Sequence, residues 1–245
     1  MEAALITGAT RSIGWTTARE LSRAGYRVFL GARNLDHGRH AAGRLAAEGL
    51  ENVEPVQLDV TDPASVQAAR RDVGRRIDRL DVLINNAGIN GGMPQAATGA
   101  SLDAYRAVFD VNLFGVVRVT QAFYDLLAVA PNPRIVMVSS SVGSLTLHND
   151  PSWQYYRNKG AVYHPSKAAL NMYTIDLAYE LRDTAFKVNA VDPGFVATDF
   201  NGHRGTGTVD EAAARVAKVA MSGPDGPTGR FISEEYAPLT GVIPW

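Results

Sequence analysis

Ala3-Ala4-Leu5-Ile6-Thr7-Gly8-Ala9-Thr10-Arg11-Ser12-Ile13-Gly14 is the stretch on which the fold turns. Residues 3–7 form a short apolar run with the character of a buried strand. A turn containing Gly8 follows, and near Ile13 the apolar spacing changes to that of a helix reaching residue 24. Gly25 then stops the helix, and residues 27–32 return as a second apolar strand. A strand, a glycine turn, a helix and a strand are the parts of a βαβ unit.

Working outward, the same alternation continues. Residues 53–60, 80–85, 134–139, 187–191 and 229–233 read as strands, and 36–48, 62–77, 101–129, 163–183 and 208–221 as helices. The strands are largely continuous in apolar character, which suits a sheet covered on both faces. Alternating units with right-handed crossovers imply an α/β fold with a doubly wound parallel sheet of about seven strands. Thr61-Asp62-Pro63 offers a cap followed by an early helical proline, and Thr208 to Glu211 fits a capping box. No repeat or linker interrupts the chain, so one domain over 1–245 is expected. The polar, glycine-rich pieces at 88–100, 143–160 and 201–207 read as loops. The first two follow strand C-termini, where open α/β sheets bind ligands.

Composition narrows the function classes. The 245 residues are 46% hydrophobic, carry a formal net charge of −1 and contain no cysteine. Thiol chemistry and cysteine-held metals are excluded, and scattered charge argues against a nucleic-acid partner. No apolar run approaches the ~20 residues of a membrane span, and the chain starts without a signal-like segment. A cytoplasmic protein with no membrane partner and no metal site is expected.

Several groups carry chemistry. The turn from Gly8 to Gly14 brings backbone N–H groups and a helix N-terminus toward where a pyrophosphate binds, although an ordinary tight turn has the same look. Arg33 ends the second strand, where the adenosine ribose of a dinucleotide is read, and a cation there pairs with a 2′-phosphate. Arg11 could add a second charge. Asp59-Val60 and Asn85-Asn86-Ala87-Gly88 end the third and fourth strands, Ser139-Ser140-Ser141 the fifth, and Asp192-Pro193-Gly194-Phe195-Val196-Ala197-Thr198 the sixth. Asn112 sits mid-helix, where a buried amide needs hydrogen-bond partners, structural or catalytic. Tyr163 and Lys167 stand at i and i+4, on one helical face. Tyr155 and Lys159 repeat the spacing, but Gly160 and a polar loop follow them, whereas Lys167 opens an evident helix. Tyr163 is therefore preferred, and Tyr155 and Tyr156 read as pocket-wall or surface aromatics, with surface the preferred reading. His148, His164 and His203 could touch substrate but read as solvated loop or helix-start residues, and His203-Arg204, if turned inward, would favour an anionic or polar substrate.

In this order, the pieces closely resemble the classical short-chain dehydrogenase/reductase family over essentially the whole chain. The family's T-G-x-x-x-G-x-G loop is matched at Thr7, Gly8 and Gly14, with Ser12 in place of the middle glycine. N-N-A-G is intact at 85–88, and P-G-x-x-x-T falls on Pro193, Gly194 and Thr198. The resemblance implies a Rossmann-type fold and a catalytic tetrad of Asn112, Ser140, Tyr163 and Lys167, with Ser140 chosen because it stands three residues before Gly143. It is nearest to NADPH-dependent carbonyl reductase-like members, which carry a basic residue at the place of Arg11, Arg at the place of Arg33 and often a basic group at that of His37.

Implied cofactor contacts are Gly8, Thr10, Arg11, Ser12, Ile13, Gly14, Arg33, His37, Asp59, Val60, Asn86, Ala87, Gly88, Tyr163, Lys167, Pro193, Gly194, Val196 and Thr198. By resemblance, Tyr163 exchanges a proton with the substrate oxygen and Ser140 hydrogen-bonds that oxygen. Lys167 holds the nicotinamide ribose and lowers the tyrosine's pKa, and Asn112 places a water. The expected function is reduction of a ketone or aldehyde by NADP(H). The alternatives are alcohol oxidation, or a catalytically silent NADP(H)-binding regulator. Family members commonly form homodimers or homotetramers through the helices at 101–129 and 163–183. Those with a long segment before the tyrosine, as here between Ser140 and Tyr163, can be monomers because that segment covers the interface.

Overall fold

The chain is described over all residues 1–245 by a computed structural model. Seven strands form one parallel sheet in the order β3-β2-β1-β4-β5-β6-β7. They are β1 (Ala3–Ile6), β2 (Arg27–Ala32), β3 (Val53–Gln57), β4 (Val82–Asn85), β5 (Arg134–Val138), β6 (Lys187–Val191) and β7 (Phe231–Ile232). The helices are α1 (Ser12–Arg23), α2 (Leu35–Ala46), α3 (Pro63–Gly74), α4 (Leu102–Phe109), α5 (Gly115–Ala128), α6 (Leu145–His148), α7 (Tyr163–Glu180) and α8 (Val209–Ala220).

Strand residues alternate between two cores. Leu5, Leu83, Ile135 and Met137 face α3, α5 and α7, while Ile6, Val82, Ile84 and Val136 face α1, α2 and α8. Each fully buried large apolar side chain contributes roughly 1.5–3 kcal/mol. Helix propensities differ by tenths, so burial decides which helix faces turn inward. The doubly wound expectation is met because both strand faces are apolar.

Several boundaries differ from the sequence reading. The strand expected over 53–60 ends at Gln57, and the one expected from residue 80 starts at Val82. The helix expected over 101–129 is divided by a π turn at Asp110–Phe114 that contains Asn112. The stretch 143–160 is not all loop, since α6 lies within it.

Cap chemistry is as read. The Asp62 carboxylate accepts from Ala64 N ahead of α3, and the Thr208–Glu211 capping box starts α8. Thr208→Ala should lower stability by about 1 kcal/mol in urea unfolding. An unchanged midpoint would show that α8 is held by its packing alone.

Strand order reverses between β1 and β4. A doubly wound sheet opens its ligand crevice at such a reversal, beyond the strand C-termini.

Candidate active site

The glycine turn and the Asn85–Gly88 segment meet at this reversal. Thr7 Oγ1 accepts from Asn86 N at 3.0 Å and Ala87 N at 2.9 Å, and Asn86 Nδ2 donates to the carbonyls of Thr7 and Gly8. Gly14 is required by close approach: a Cβ there would stand 2.5 Å from Asn86 Nδ2 and 2.9 Å from Gly8 O. Ser12, at the position of the family's glycine, has φ 51°, so it adopts the left-handed conformation that glycine accepts more readily. No side chain caps α1, and the N–H groups of Ser12, Ile13 and Gly14 have no backbone acceptor. An anion at this helix N-terminus has donors ready for it.

Around this turn, Arg33 and His37 are exposed, and Arg33 makes no ion pair. Arg11 is bonded at 2.9 Å to Asp199, in the loop after Thr198. Asp59 accepts from Thr61 N and Thr61 Oγ1, and Val60 packs against Gly115.

Ser140, Tyr163 and Lys167 are brought together by a second close approach. A Cβ on Gly143 would stand about 3 Å from the Lys167 backbone, so glycine lets the turn after β5 lie directly on α7. Ser140 lies near the Tyr163 phenol, whose hydroxyl end is enclosed while part of the ring is exposed. The Lys167 ammonium donates to Val138 O at 2.8 Å and lies 5.8 Å from the Tyr163 ring centre.

The electrostatics differ from the expectation that Lys167 lowers the tyrosine's pKa. Burial, then the charge of Asp192, pushes the phenol well above its ordinary value, and only Ser140 acts the other way. Burial pushes Lys167 down to about 8. In this arrangement the phenol is a protonated donor.

Asn112 is fully buried and its amide is fully used. Oδ1 accepts from Ile89 N, while Nδ2 donates to Ile89 O and to Ser166 Oγ at 3.0 Å. It ties the segment after Gly88 to the first turn of α7.

Other placements depart from the sequence reading. Tyr155 is half-buried and walls a cavity of about 50 Å³ together with Ser140, Asn158, Asp192, Phe195 and Tyr236. His164 is buried, not solvated, and its ring stacks on His148 at 4.9 Å. Burial, with His148 and Lys159 nearby, pushes His164 down to about 4, so it is neutral near pH 7. His203 and Arg204 are exposed and bond to their own loop, at Asp199 and at Asn201 O.

Gln95, which sequence reading passed over, caps α7. Its Oε1 accepts from Val162 N at 3.1 Å and Tyr163 N at 3.0 Å, fixing where the phenol starts its helix. A glutamine in a Gly-Gly-Met-Pro-Gln loop carries no local signal of that role. Asp192 offered one signal, a carboxylate at a strand C-terminus, and it faces the cavity.

The segment before Tyr163 packs on the C-terminal tail. Ser144 Oγ donates to Pro244 O, Thr146 Oγ1 to Trp245 O, and Trp153 meets Tyr236 edge-on. It leaves Phe114, Tyr124, Met172 and Tyr179 on the α5 and α7 side exposed.

The glycine turn at a parallel-sheet reversal, with tyrosine and lysine one helical turn apart beside a serine, defines a dinucleotide-type oxidoreductase site. The short chain dehydrogenase family model matches residues 2–208, and the chain belongs to that family. The chain is 33% identical to the short-chain dehydrogenase anuI of Penicillium roqueforti, over 94% of this chain and 93% of that one. It is 30% identical to salutaridine reductase of Papaver bracteatum, with 94% of each chain covered. Among solved structures, NADPH-bound carbonyl reductase from chicken fatty liver superposes with a TM-score of 0.85 at 29% identity, covering 100% of this chain and 99% of that one.

Proposed function

We propose that the chain is an NADP(H)-dependent reductase of ketones or aldehydes, with Tyr163 as general acid. The observation that carries this reading is the enclosed Tyr163 phenol, its proton held by burial, with Ser140 near it and the Lys167 ammonium 5.8 Å from its ring centre. The open N–H groups at the start of α1 and the unpaired Arg33 fit the cofactor's pyrophosphate and 2′-phosphate. The similarity to a carbonyl reductase solved with NADPH supports the same choice.

The bound cofactor supplies the hydride, and the protein supplies position and the proton. Gly8 to Gly14 and Asn86 to Gly88 would hold the dinucleotide, with Pro193, Gly194, Val196 and Thr198 adding further contacts to it. Ser140 and Tyr163 orient the carbonyl oxygen, and the Tyr163 hydroxyl gives its proton to that oxygen as negative charge develops there. Lys167 holds the ribose and places a cation beside the phenolate left behind. Asn112 keeps the first turn of α7 in register with the segment after Gly88. No helix is long and apolar enough to cross a membrane. The exposed α5 and α7 face suits a second copy of this chain, giving a homodimer or homotetramer.

Turnover tests the reading: NADPH oxidation over a panel of ketones and aldehydes should be rapid with at least one class. NADPH bound with no substrate reduced would favour a silent regulator. Arg33→Ala should raise KM for NADPH by about ten- to a hundredfold, the loss of one charge-assisted contact. KM for NADH should barely change, and equal effects on both would remove Arg33 from phosphate recognition.

A further inference from the structure

The N-cap residue of α7 is Val162, whose side chain makes no capping bond, so the helix that carries Tyr163 is started from elsewhere. Gln95 does this, and its buried amide is used in full, with the residue 7% exposed. Oε1 accepts from Val162 N at 3.1 Å and Tyr163 N at 3.0 Å. Nε2 donates to Asn90 O at 2.5 Å and Gly92 O at 2.7 Å. The backbone adds a fifth bond, from Ala161 N to Gln95 O at 3.1 Å. Two donor and two acceptor sites at one side-chain end are the property of an amide. A carboxylate in its place would face two carbonyls, and an apolar side chain would leave four polar groups unpaired.

The same short loop reaches Tyr163 from a second side. Asn90 Nδ2 donates to Phe200 O, beyond Thr198, and the Phe200 ring lies edge-on to the Tyr163 ring at 5.4 Å. Asn90 Oδ1 accepts from Gly92 N at 2.8 Å, which folds the loop into the turn that Gln95 spans. The loop therefore holds the Tyr163 backbone through Gln95 and the residue packed on its ring through Asn90.

We propose that Gln95 is a positioning residue for proton transfer: by pinning the Tyr163 N–H to the 90–95 loop, its amide sets where the phenol meets the substrate oxygen. The inference deepens the general-acid reading of Tyr163 and rests on it. A general acid must lie within hydrogen-bond reach of the oxygen it protonates, and a shift of about 1 Å costs on the order of a hundredfold. The amide bonds of Gln95 all go to the backbone of Asn90, Gly92, Val162 and Tyr163, none to the glycine turn or Lys167. Its loss should therefore act on the chemical step rather than on cofactor binding.

Gln95→Met keeps the length of the side chain and removes both halves of the amide. Its kcat for carbonyl reduction should fall by about ten- to a hundredfold, with KM for NADPH within about twofold of wild type. Amide exchange at Val162 and Tyr163, followed by NMR, should quicken by about tenfold or more. This readout needs no turnover. Faster exchange in a chain whose wild type reduces nothing would remove the reductase reading and leave the hold of Gln95 on Tyr163 standing. Gln95→Glu separates positioning from stability. The new carboxylate still accepts from both N–H groups, but its second oxygen faces the carbonyls of Asn90 and Gly92. A proton there restores one donor bond, and desolvation beside two carbonyls raises the carboxyl above its usual ~4.3. The kcat ratio to wild type should therefore climb several-fold as pH falls from about 8 to about 5.5. The 90–95 loop has no ionisable side chain. Those at the start of α7 are Tyr163 and His164, with His148 and Lys159 beyond, and all are shared with wild type, so the ratio isolates the new carboxyl. A role in stability alone would move Tm with pH and leave kcat of the folded protein flat. Where Gln95→Met fails to fold, Gln95→Glu across pH carries the test. Unquickened exchange or unchanged kcat in folded Gln95→Met, or a flat ratio in Gln95→Glu, would overturn the proposal.

Discussion

Tyr163→Phe should lower carbonyl reduction by about 10²–10⁴-fold, the range a positioned general acid contributes, while leaving NADPH affinity nearly unchanged. The substitution removes one hydroxyl and keeps the ring, which packs edge-on against Phe200 at 5.4 Å and His164 at 6.1 Å. The fold should therefore persist. Ser140 still borders the cavity, so the lost interaction is the proton donor itself. The pH dependence has a definite sign. The folded phenol holds its proton above its ordinary pKa, so the folded chain binds more protons than the unfolded one above pH ~10, and stability falls as pH rises through that range. Tyr163→Phe should remove this part of the alkaline loss. Retention of more than about a tenth of wild-type kcat would assign the proton to another donor.

Lys167→Met should act in opposite directions on activity and stability. Without the ammonium, nothing holds the ribose or offsets the phenolate, and kcat/KM should fall by about two orders of magnitude or more. Stability at pH 7 should rise. Lys167 is 4% exposed, accepts no counter-charge, and burial lowers its pKa from 10.5 to about 8. The unfolded chain binds the extra proton between those two values. Wild-type stability therefore climbs from about pH 8 to 10.5, and below pH 8 the buried charge costs up to a few kcal/mol. Methionine fills a similar volume without that cost. Its advantage should appear as a higher Tm at pH 7 and shrink above pH 10.5. A destabilised variant would mean that the Val138 contact outweighs the desolvation cost. The trade of stability for function is expected where a charge is kept in a dry site for its chemistry.

The fold was legible because a parallel sheet buried on both faces requires apolar residues at every strand position. That requirement is written continuously into 3–7, 27–32, 80–85 and 134–139. The glycine turn, the Asn85–Gly88 segment and the tyrosine–lysine pair were legible for a related reason. Each is a local geometry, a close backbone approach or a single helical turn, that only certain residues satisfy at fixed spacing. Asn112 was legible as an amide in need of partners, although nothing in its neighbours revealed the π turn that carries it.

The remainder depends on pairs far apart in the chain. Gln95 caps α7 across 68 residues, Ser144 meets Pro244 across 100, and Ser233 reaches Asp192 across 41. Side chains that meet through loops leave no periodic trace, so Tyr155 and His164 read as surface groups until the tail and α6 were seen to enclose them. By itself the sequence determined the doubly wound sheet, its family and the location of the reactive pair, since these follow from local spacing and burial pattern. Only the tertiary structure decided the sign of the electrostatics. The Tyr163 phenol is pushed up first by its burial and then by the charge of Asp192, 29 positions later in the chain.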